Sequence, residues 1–329
     1  MASPQSADSS SANLDFEAVE VPEVGESVAI LMCSYNGERF LSEQLASIER
    51  QDHTNWRLFV SDDGSTDATL SLLKDFQARR GGEKVTLLSG PQAGFASNFM
   101  SLTCRDDISA DFFAWSDQDD IWGTDKLSAA LTWLHEVPAD VPALYASRTT
   151  LVNEEGVMVG ITPLYSRAFG FPNALVQNIA AGNTMVFNRA ARELLRSNAH
   201  LSIVAHDWWA YLLVTAAGGT FYFDEFPHLF YRQHEANSIG ANTGLKSTIV
   251  RIQKLFQGRL GRWIDQNISN LEAVEFLLTE QNREVLQRFK IARTRKLPGR
   301  LFGIWRSGVY RQTLMGNVGL LVAVIFKGV

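Results

Sequence analysis

Three short polar clusters carry residue types that bind nucleotides and metal ions, and each stands directly behind an apolar segment. They are Ser34–Gly37, Asp62–Ser65 and Asp117–Asp120. The carboxyl ends of parallel strands meet at one edge of an α/β sheet, where ligands bind, so we expect the three clusters to converge. An Asp-Gly pair after a strand is most often only a turn. The prediction therefore depends on three clusters that share one position relative to their strands.

The third cluster is chemically the most informative, because Asp117, Asp119 and Asp120 place three carboxylates within four residues. Crowded carboxylates are unfavourable unless a cation compensates their charge. Mg²⁺ or Mn²⁺, held by carboxylates together with substrate phosphate oxygens, is the usual solution. A solvated acidic turn is the alternative, since Asp is favourable at a helix N-terminus. Structural zinc is not indicated, because the sequence has no Cys/His constellation for it.

The first half of the chain alternates strand and helix patterns, which predicts parallel crossovers and an α/β sheet covered on both faces. The predicted elements are strands at Val28–Cys33, Trp56–Val60, Lys84–Leu88 and Asp111–Ser116, and helices at Arg39–Arg50, Ala68–Arg79, Phe95–Thr103 and Lys126–His135. From Ala143 the pattern loosens into strands and loops around two helices, Ala190–Ser197 and Asp207–Ala216. Helical periodicity resumes at about Leu245.

Composition excludes several classes of protein. A hydrophobic content of 46% and a charged content of 20% are typical of a globular protein, and the net charge of −6 gives no reason to expect nucleic acid as a partner. The two cysteines, Cys33 and Cys104, favour a reducing, cytoplasmic compartment over a disulfide framework. Residues 1–26 form a polar tail without a secretion signal, and we expect it to be disordered.

The C-terminal part combines positive charge with apolar residues. Between Arg283 and Arg311 there are nine Lys or Arg residues and one acid. The apolar run Leu314–Phe326 follows, and it is shorter than the roughly 20 residues that span a bilayer. This order predicts peripheral contact with an anionic membrane, at the inner face of the plasma membrane. A basic helix and a core helix of a soluble domain, or an interface in a homo-oligomer, are the alternatives.

These motifs resemble those of family 2 glycosyltransferases with the GT-A fold. The resemblance is carried by VAILMCSYNG, FVSDDGSTD and WSDQDDIW, and by Gly94–Asn98. Within the family, AGNTMVFN, HDWW and YRQH are similar to motifs of bacterial rhamnosyltransferases of cell-surface polysaccharide synthesis. The resemblance implies a Rossmann-like mixed sheet flanked by helices. It places the catalytic domain at residues 27–244 and a helical extension at residues 245–329.

The resemblance also implies roles in binding a nucleotide-sugar donor. Ser34, Tyr35 and Asp63 would hold the base and ribose, with Asp63 accepting hydrogen bonds from the pyrimidine imide. Asp117 would approach the ribose or the sugar, and Asp119 would bind the metal at the diphosphate. The other predicted donor contacts, all in the same motifs, are Asn36, Asn98 and Gln118.

Asp207 is the predicted general base. It precedes Trp208 and Trp209 in an apolar helix, a setting that should raise a carboxylate's pKa. A helix N-cap is the alternative. Many family members have Glu-Asp before this helix, whereas this chain has His206-Asp207, which leaves His206 without an assigned role.

Two residues near the end of the match are predicted to bind the diphosphate or its metal. His234 would be a late metal or diphosphate ligand, although a lone His is as often structural. Arg232 would pair with diphosphate oxygens. The indole rings that could form walls for a sugar or simply pack in the core are those of Trp122, Trp208 and Trp209.

The predicted function is inverting, metal-dependent transfer of L-rhamnose from dTDP-β-L-rhamnose to a polysaccharide or lipid-linked saccharide. A UDP-hexose or UDP-N-acetylhexosamine donor is one alternative, and a non-catalytic nucleotide-sugar-binding module is another. A haloacid-dehalogenase phosphatase is disfavoured, because Ile121 stands where that motif has Thr or Val. A nucleotidyltransferase is disfavoured because SYNGERF has a single glycine.

Overall fold

The computed structural model describes residues 26–234 and 259–326. The strands in these ranges are β1 Val28–Ser34, β2 Trp56–Asp62, β3 Val85–Ser89, β4 Phe112–Ser116, β5 Ile121–Trp122, β6 Ala143–Val152, β7 Met158–Ile161, β8 Val186–Asn188 and β9 Thr220–Arg232. The α-helices are α1 Leu41–Glu49, α2 Thr69–Arg80, α3 Phe95–Thr103, α4 Lys126–Leu134, α5 Phe171–Ala174, α6 Arg189–Arg196, α7 His206–Ala216, α8 Arg259–Ala273, α9 Glu280–Thr294, α10 Gly299–Ser307 and α11 Leu314–Ile325. The 3-10 turns are Gly182–Thr184 and Glu275–Leu277.

The predicted elements of the first half are confirmed, with ends that differ by at most two residues. The α/β class, the mixed sheet and the helical C-terminal region are confirmed as well. The predicted polar tail, apart from Glu26, lies outside the described residues. So do the predicted domain boundary at residues 244 and 245 and the predicted start of the C-terminal helices.

The sheet of the described residues has the strand order β3-β2-β1-β4-β8-β6-β9-β5, and β7 pairs with β6. Strands β1 to β4 are parallel where they pair, whereas β8 is antiparallel to both of its neighbours. The register sets Ser34 opposite Asp62 and Met32 opposite Ser116. The carboxyl ends of β1, β2 and β4 therefore meet at one edge, which brings the three polar clusters to the same side of the sheet.

Both faces of the sheet are buried, as a parallel sheet requires. Alternate residues of β1 supply two cores, because successive strand side chains point to opposite faces. Val28, Ile30 and Met32 pack with α1, α2 and α4, while Ala29 and Leu31 pack with α3, α6 and α7. Helix α7 is buried along its whole length, so its first turn is held firmly at the edge of the sheet.

The C-terminal helices pack on the same core as α7. Buried residues of α8 to α11 join the apolar cluster that contains α3 and α7. The Asn282 side chain also donates to the carbonyls of Thr215 and Ala216 at the end of α7, at 2.9 and 3.0 Å. Across residues 26–234 and 259–326, no helix combines the length and the hydropathy needed to cross a membrane.

Candidate active site at the carboxyl edge of the sheet

The loops after β1 and β2 are joined by side-chain hydrogen bonds. The buried Ser34 hydroxyl donates to Asp62 Oδ2 at 2.9 Å, and the Ser65 hydroxyl donates to the same oxygen at 2.5 Å. Asn36 adopts a left-handed conformation with φ 46°, which Asn tolerates better than most residues. Its Oδ1 accepts from Thr66 N at 2.8 Å. Asp62 is therefore occupied within this network, while Asp63 next to it is partly exposed.

Asp63 and Asn98 lie close to each other at the same edge of the sheet. Asp63 Oδ1 accepts from Gln92 N at 2.6 Å, and Asn98 Oδ1 accepts from the Ser61 hydroxyl at 2.5 Å. A Cβ at Gly90 would come within 2.6 Å of Asp63 Oδ1 and 2.8 Å of Asn98 Oδ1. Asn98 is buried and its side chain bonds only Ser61 in the contacts above, so it ties α3 to β2, and its predicted contact with the donor stays a prediction.

Gln118 connects the acidic loop after β4 to the loop after β1. Its side-chain amide pairs with the backbone of Tyr35: Tyr35 N donates to Oε1 at 2.8 Å, and Nε2 donates to Tyr35 O at 2.9 Å. A Cβ at Gly37 would lie 2.2 Å from Gln118 Oε1. Glycine at this position is needed for the pairing. The Tyr35 side chain, directly after β1, is exposed.

The acidic cluster is confirmed as a spatial group. One carboxylate oxygen each from Asp117, Asp119 and Asp120 lies within 4.8 Å of the others. Burial, together with the charges of Asp119 and Asp207, raises the pKa of Asp117 to about 8. Burial and the neighbouring carboxylates raise the pKa of Asp120 as well. The free-energy cost of these charges is what a bound cation would relieve.

Asp120 is the innermost member of the cluster. Its Oδ2 accepts from Asn183 Nδ2 at 2.5 Å, whereas its buried Oδ1 has no hydrogen-bond partner among the described residues. Lys126 is a buried basic residue nearby, with its Nζ 3.3 Å from the centroid of the Trp122 ring. Burial lowers the pKa of Lys126, and the charges of Asp120 and Asp117 oppose that shift. The chain thus compensates its own cluster only in part.

The end of β9 brings His234 and Arg232 to the cluster. His234 Nε2 lies 2.8 Å from Asp119 Oδ2. The buried Arg232 guanidinium donates to the carbonyls of Asp119 and Glu154, at 3.1 and 2.6 Å, and pairs with the Glu43 carboxylate. The structure therefore places Arg232 beneath the cluster, where its described contacts are with the protein. Its predicted pairing with a diphosphate stays a prediction.

Asp207 is buried in the first turn of helix α7. Burial raises its pKa to about 6, and hydrogen bonds from Trp208 N, the Asn178 side chain and Gly182 N oppose the shift. The Asp207 charge in turn contributes to the raised pKa of Asp117. The N-cap alternative is wrong, because Ala205 occupies the N-cap position and Asp207 lies inside the first turn of α7, which has no side-chain cap hydrogen bond.

His206, to which the sequence assigns no role, is a buried packing residue next to Asp207. Its ring stacks on Phe99 with centroids 4.0 Å apart and meets Trp115 edge-on at 4.7 Å. Burial lowers its pKa to about 3, so the ring is neutral. A Cβ at Gly182 would lie 2.3 Å from its Nε2. The turn at Gly182 and the His206 ring therefore fit against each other.

Sequence reasoning missed Asn183 and Lys126 as parts of the site. Asn183 lies in AGNTMVFN, a motif that was noted without a residue role. Lys126 begins a helix and gives no sequence signal of burial. The three candidate sugar-wall rings, Trp122, Trp208 and Trp209, are all at most 4% exposed, so they pack in the core.

The residues of the cluster fit a hard divalent cation. Mg²⁺ and Mn²⁺ prefer oxygen ligands, and the cluster offers carboxylate oxygens with a His nitrogen beside them. The buried, unpartnered Oδ1 of Asp120 is the type of atom that such an ion would satisfy. Asp119 and Asp117 are the more exposed members and would be the accessible ligands.

The fold and the site define an α/β enzyme with an acidic centre at the carboxyl ends of its strands. Residues 29–194 match the family model described as Glycosyl transferase family 2. The chain is 31% identical over 231 residues to the dTDP-rhamnosyl transferase RfbG of Shigella flexneri, covering 67% of this chain and 78% of that protein. The chain belongs to glycosyl transferase family 2 and is a glycosyltransferase.

Two further likenesses are narrower or more distant. The UDP-Glc:alpha-D-GlcNAc-diphosphoundecaprenol beta-1,3-glucosyltransferase WfgD of Escherichia coli is 34% identical over 107 residues, which are 32% of this chain and 40% of that protein. The crystal structure of S. aureus TarS 1–349 aligns with a TM-score of 0.48 at 15% identity, covering 86% of this chain and 92% of that one.

Proposed function

We propose that this glycosyltransferase moves L-rhamnose from dTDP-β-L-rhamnose to a hydroxyl of a saccharide or lipid-linked saccharide, with inversion and with a divalent metal. The observation that supports the reaction type is that one turn joins Asp207 to the acidic cluster: Gly182 N donates to Asp207, and the next residue, Asn183, donates to Asp120 Oδ2 at 2.5 Å. The choice of donor is supported by the likeness to the dTDP-rhamnosyl transferase RfbG of Shigella flexneri. A lipid-linked saccharide acceptor is supported by the likeness to WfgD, whose name specifies a sugar on diphosphoundecaprenol.

The donor end of the site divides into a nucleoside part and a diphosphate part. Tyr35 and Asp63 stand at the open edge beside β1 and β2, where they would hold the base and ribose. The Gln118 side chain joins the Tyr35 backbone to the acidic loop, so the distance between the nucleoside part and the diphosphate part is fixed. Asp119, Asp117 and His234 would hold the metal. A bound Mg²⁺ or Mn²⁺ would supply positive charge against the charge that develops on the departing diphosphate.

Asp207 would act as the general base. Its carboxylate would take the proton of the acceptor hydroxyl while that oxygen forms a bond to the anomeric carbon. The bond from the anomeric carbon to the diphosphate oxygen breaks, and the nucleoside diphosphate leaves with the electron pair. A pKa of about 6 suits this role, since the group is ionised at neutral pH yet basic enough to accept a proton.

The geometry favours direct displacement. Asp207 is the single carboxylate proposed for the acceptor side, and the remaining acids of the site are grouped around the metal. A reaction with one base and no protein nucleophile inverts the anomeric centre, as in inverting glycosidases. A β-linked donor should therefore give an α-linked rhamnoside, which NMR of the product would show.

Asp207→Asn separates a transferase from a module that only binds the donor. The variant should lose about 10²–10⁴-fold in turnover, the usual contribution of general base catalysis, while donor with Mn²⁺ still stabilises the protein against unfolding. Asp75→Asn, on the exposed side of α2, is the matched control and should turn over like the unchanged enzyme. Full turnover by Asp207→Asn would remove the base from the proposal.

A UDP-hexose is the second candidate donor. It is favoured by the local likeness to the glucosyltransferase WfgD, whose name specifies UDP-Glc. Thermal unfolding with Mn²⁺ and dTDP-rhamnose, UDP-glucose or UDP-N-acetylglucosamine would decide between them. The largest stabilisation should come from dTDP-rhamnose, and a larger one from either UDP-sugar would replace the donor while keeping the mechanism.

A further inference from the structure

The last described helix, α11, exposes an apolar face. Seven large apolar residues follow one another at helical spacing on its outer side and at its end, and no charged residue interrupts them. They are Leu314, Met315, Val318, Leu321, Val322, Ile325 and Phe326. Leu314 is 81% exposed and Met315 76% exposed. An amphipathic helix of a soluble domain has polar residues on this side.

The inner face of α11 is already used by the protein. Leu320, Ala323 and Val324 are buried in the core that also contains α7. The Arg300 guanidinium of the preceding helix donates to Val324 O at 3.0 Å. Helix α11 is therefore fixed to the body along one side, and its apolar outer side is a stable surface of the folded chain.

Helix α10 adds two aromatic rings on its own exposed face. Trp305 is 75% exposed, and its ring lies 5.8 Å from that of Phe302, which is also exposed. Ile304 and Gly303 on the opposite side are buried. Exposed Trp and Phe beside aliphatic residues are typical of helices that lie in the interface of a bilayer. We call the exposed residues of α10 and α11 the apolar face.

The segment that carries the apolar face is rich in positive charge. Residues 291–326 contain six Lys or Arg and no Asp or Glu. Three of the cations, Arg295, Lys296 and Arg306, are exposed and have no ion-pair partner among the described residues. The combination of unpaired cations with exposed apolar side chains complements the anionic headgroups and the acyl chains of one bilayer surface.

We propose that the apolar face of α10 and α11 and the three exposed cations beside it form a docking surface for an anionic lipid membrane. Helix α11 would lie along that membrane, because its other side is packed on the protein. A second copy of the chain fits the surface less well. A symmetric dimer through this face would bring the cations of both copies together without an acid to pair them.

The proposal does not depend on the donor or on catalysis, so it is tested by binding alone. We would sediment the full chain with vesicles of phosphatidylcholine and with vesicles that contain phosphatidylglycerol as well. We expect the chain to sediment with the anionic vesicles, less with the neutral ones, and less as salt is added. A chain that stays in the supernatant with anionic vesicles overturns the proposal.

Two sets of substitutions separate charge from apolar contact. Arg295→Gln/Lys296→Gln/Arg306→Gln should weaken binding by about fivefold for each cation removed, or on the order of a hundredfold together. Arg50→Gln/Lys74→Gln/Arg79→Gln removes three exposed cations elsewhere and is the matched control, with binding unchanged. Equal loss in both triple variants would mean nonspecific attraction and would contradict the proposed surface.

The apolar variant is Trp305→Ser/Leu314→Ser/Leu321→Ser, and its control is Phe276→Ser, which changes a residue that is 77% exposed on another element. Only the triple variant should lose vesicle binding, while both keep their thermal unfolding temperature because the changed residues are exposed.

Analytical ultracentrifugation tests whether the apolar face binds a second copy of the chain instead. A dimer of the unchanged chain that becomes a monomer in the triple variant, with no vesicle binding by either, would assign the face to a second copy and reject the membrane.

Discussion

The carboxyl edge of the sheet and the C-terminal helices are unusual in opposite ways. The first buries acidic side chains, and the second exposes apolar ones. At the edge, Asp117 and Asp120 place carboxylates where burial raises their pKa. On α10 and α11, Trp305 and Leu314 expose large apolar side chains to water. Buried charge and exposed apolar surface are both unfavourable for the isolated chain. We propose that each is explained by a partner from outside the chain, a metal–nucleotide complex in one region and a lipid surface in the other.

The two regions differ in how firmly the protein holds them. The carboxylates are fixed by Asn183, Gln118 and the end of β9, so their geometry is set before any ligand arrives. The apolar face needs no such support, because a bilayer accepts many arrangements of apolar groups. Single substitutions should therefore be severe at the edge and mild on the outer face of α11.

The largest expected effect is at Asp119. Asp119→Ala should reduce turnover to background, because it removes the more exposed carboxylate of the cluster. It should also abolish the metal-dependent part of the stabilisation by nucleoside diphosphate, which is about 2.7 kcal/mol at a ligand concentration 100 times the Kd. Thermal unfolding with dTDP, with and without Mn²⁺, measures this. Full activity of the unchanged enzyme in excess EDTA would contradict the proposed metal site at the carboxyl edge of the sheet.

Asn183→Leu tests the support of the cluster. Removal of the amide leaves Asp120 Oδ2 without its hydrogen-bond donor, which should cost about 1–3 kcal/mol and weaken Mn²⁺ affinity about tenfold to hundredfold. Asn173→Leu is the matched control, since the Asn173 amide is buried and donates to Tyr310 O, away from the cluster. Titration of Mn²⁺ should show a loss in the first variant alone. An equal loss of Mn²⁺ affinity in both variants would mean that Asn183 contributes only to packing.

The third prediction concerns pH and Asp207. Its pKa of about 6 implies that kcat falls about tenfold per pH unit below that value and levels off above it. The same shift has a stability consequence. The pKa of Asp207 in the folded protein lies above the ordinary value of 3.8. Its favourable contribution to the free energy of unfolding is therefore complete below pH 3.8 and is lost as the pH rises through about 6. Asp207→Asn should therefore gain about 1–3 kcal/mol at neutral pH, measured by denaturant unfolding. A destabilised variant would mean that its hydrogen bonds outweigh its burial.

The smallest expected effect is at Leu321 on α11, and its neighbour Leu320 is the control. Leu320 is 6% exposed and Leu321 is 50% exposed. Leu320→Ala should cost about 2–5 kcal/mol in the free energy of unfolding, as for other buried leucines. Leu321→Ala should stay within about 0.5 kcal/mol while it weakens vesicle binding. Similar destabilisation by both variants would show that the outer face is covered within the protein.

The sequence predicted the elements of the first half because apolar runs and helical spacing are local signals, as in Val28–Cys33 and Phe95–Thr103. It also predicted that the three clusters meet, since parallel strands share an edge. It could not predict the burial of Lys126, because a Lys at the start of a helix looks like a surface residue. Nor could it find that Arg232 contacts Glu43, a residue 189 positions away. Such contacts depend on how distant segments pack.

The turn at Gly182 has a consequence for changing this enzyme by mutation. Its backbone N–H serves Asp207, its missing side chain leaves room for His206, and the next residue holds Asp120. A larger residue at this position would move Asp207 and the acidic cluster together. Substitutions here should be strongly non-additive with changes at either Asp207 or Asp120, since they share one mechanical support. Attempts to evolve a new donor preference should therefore vary the exposed loop around Tyr35 and leave this glycine fixed.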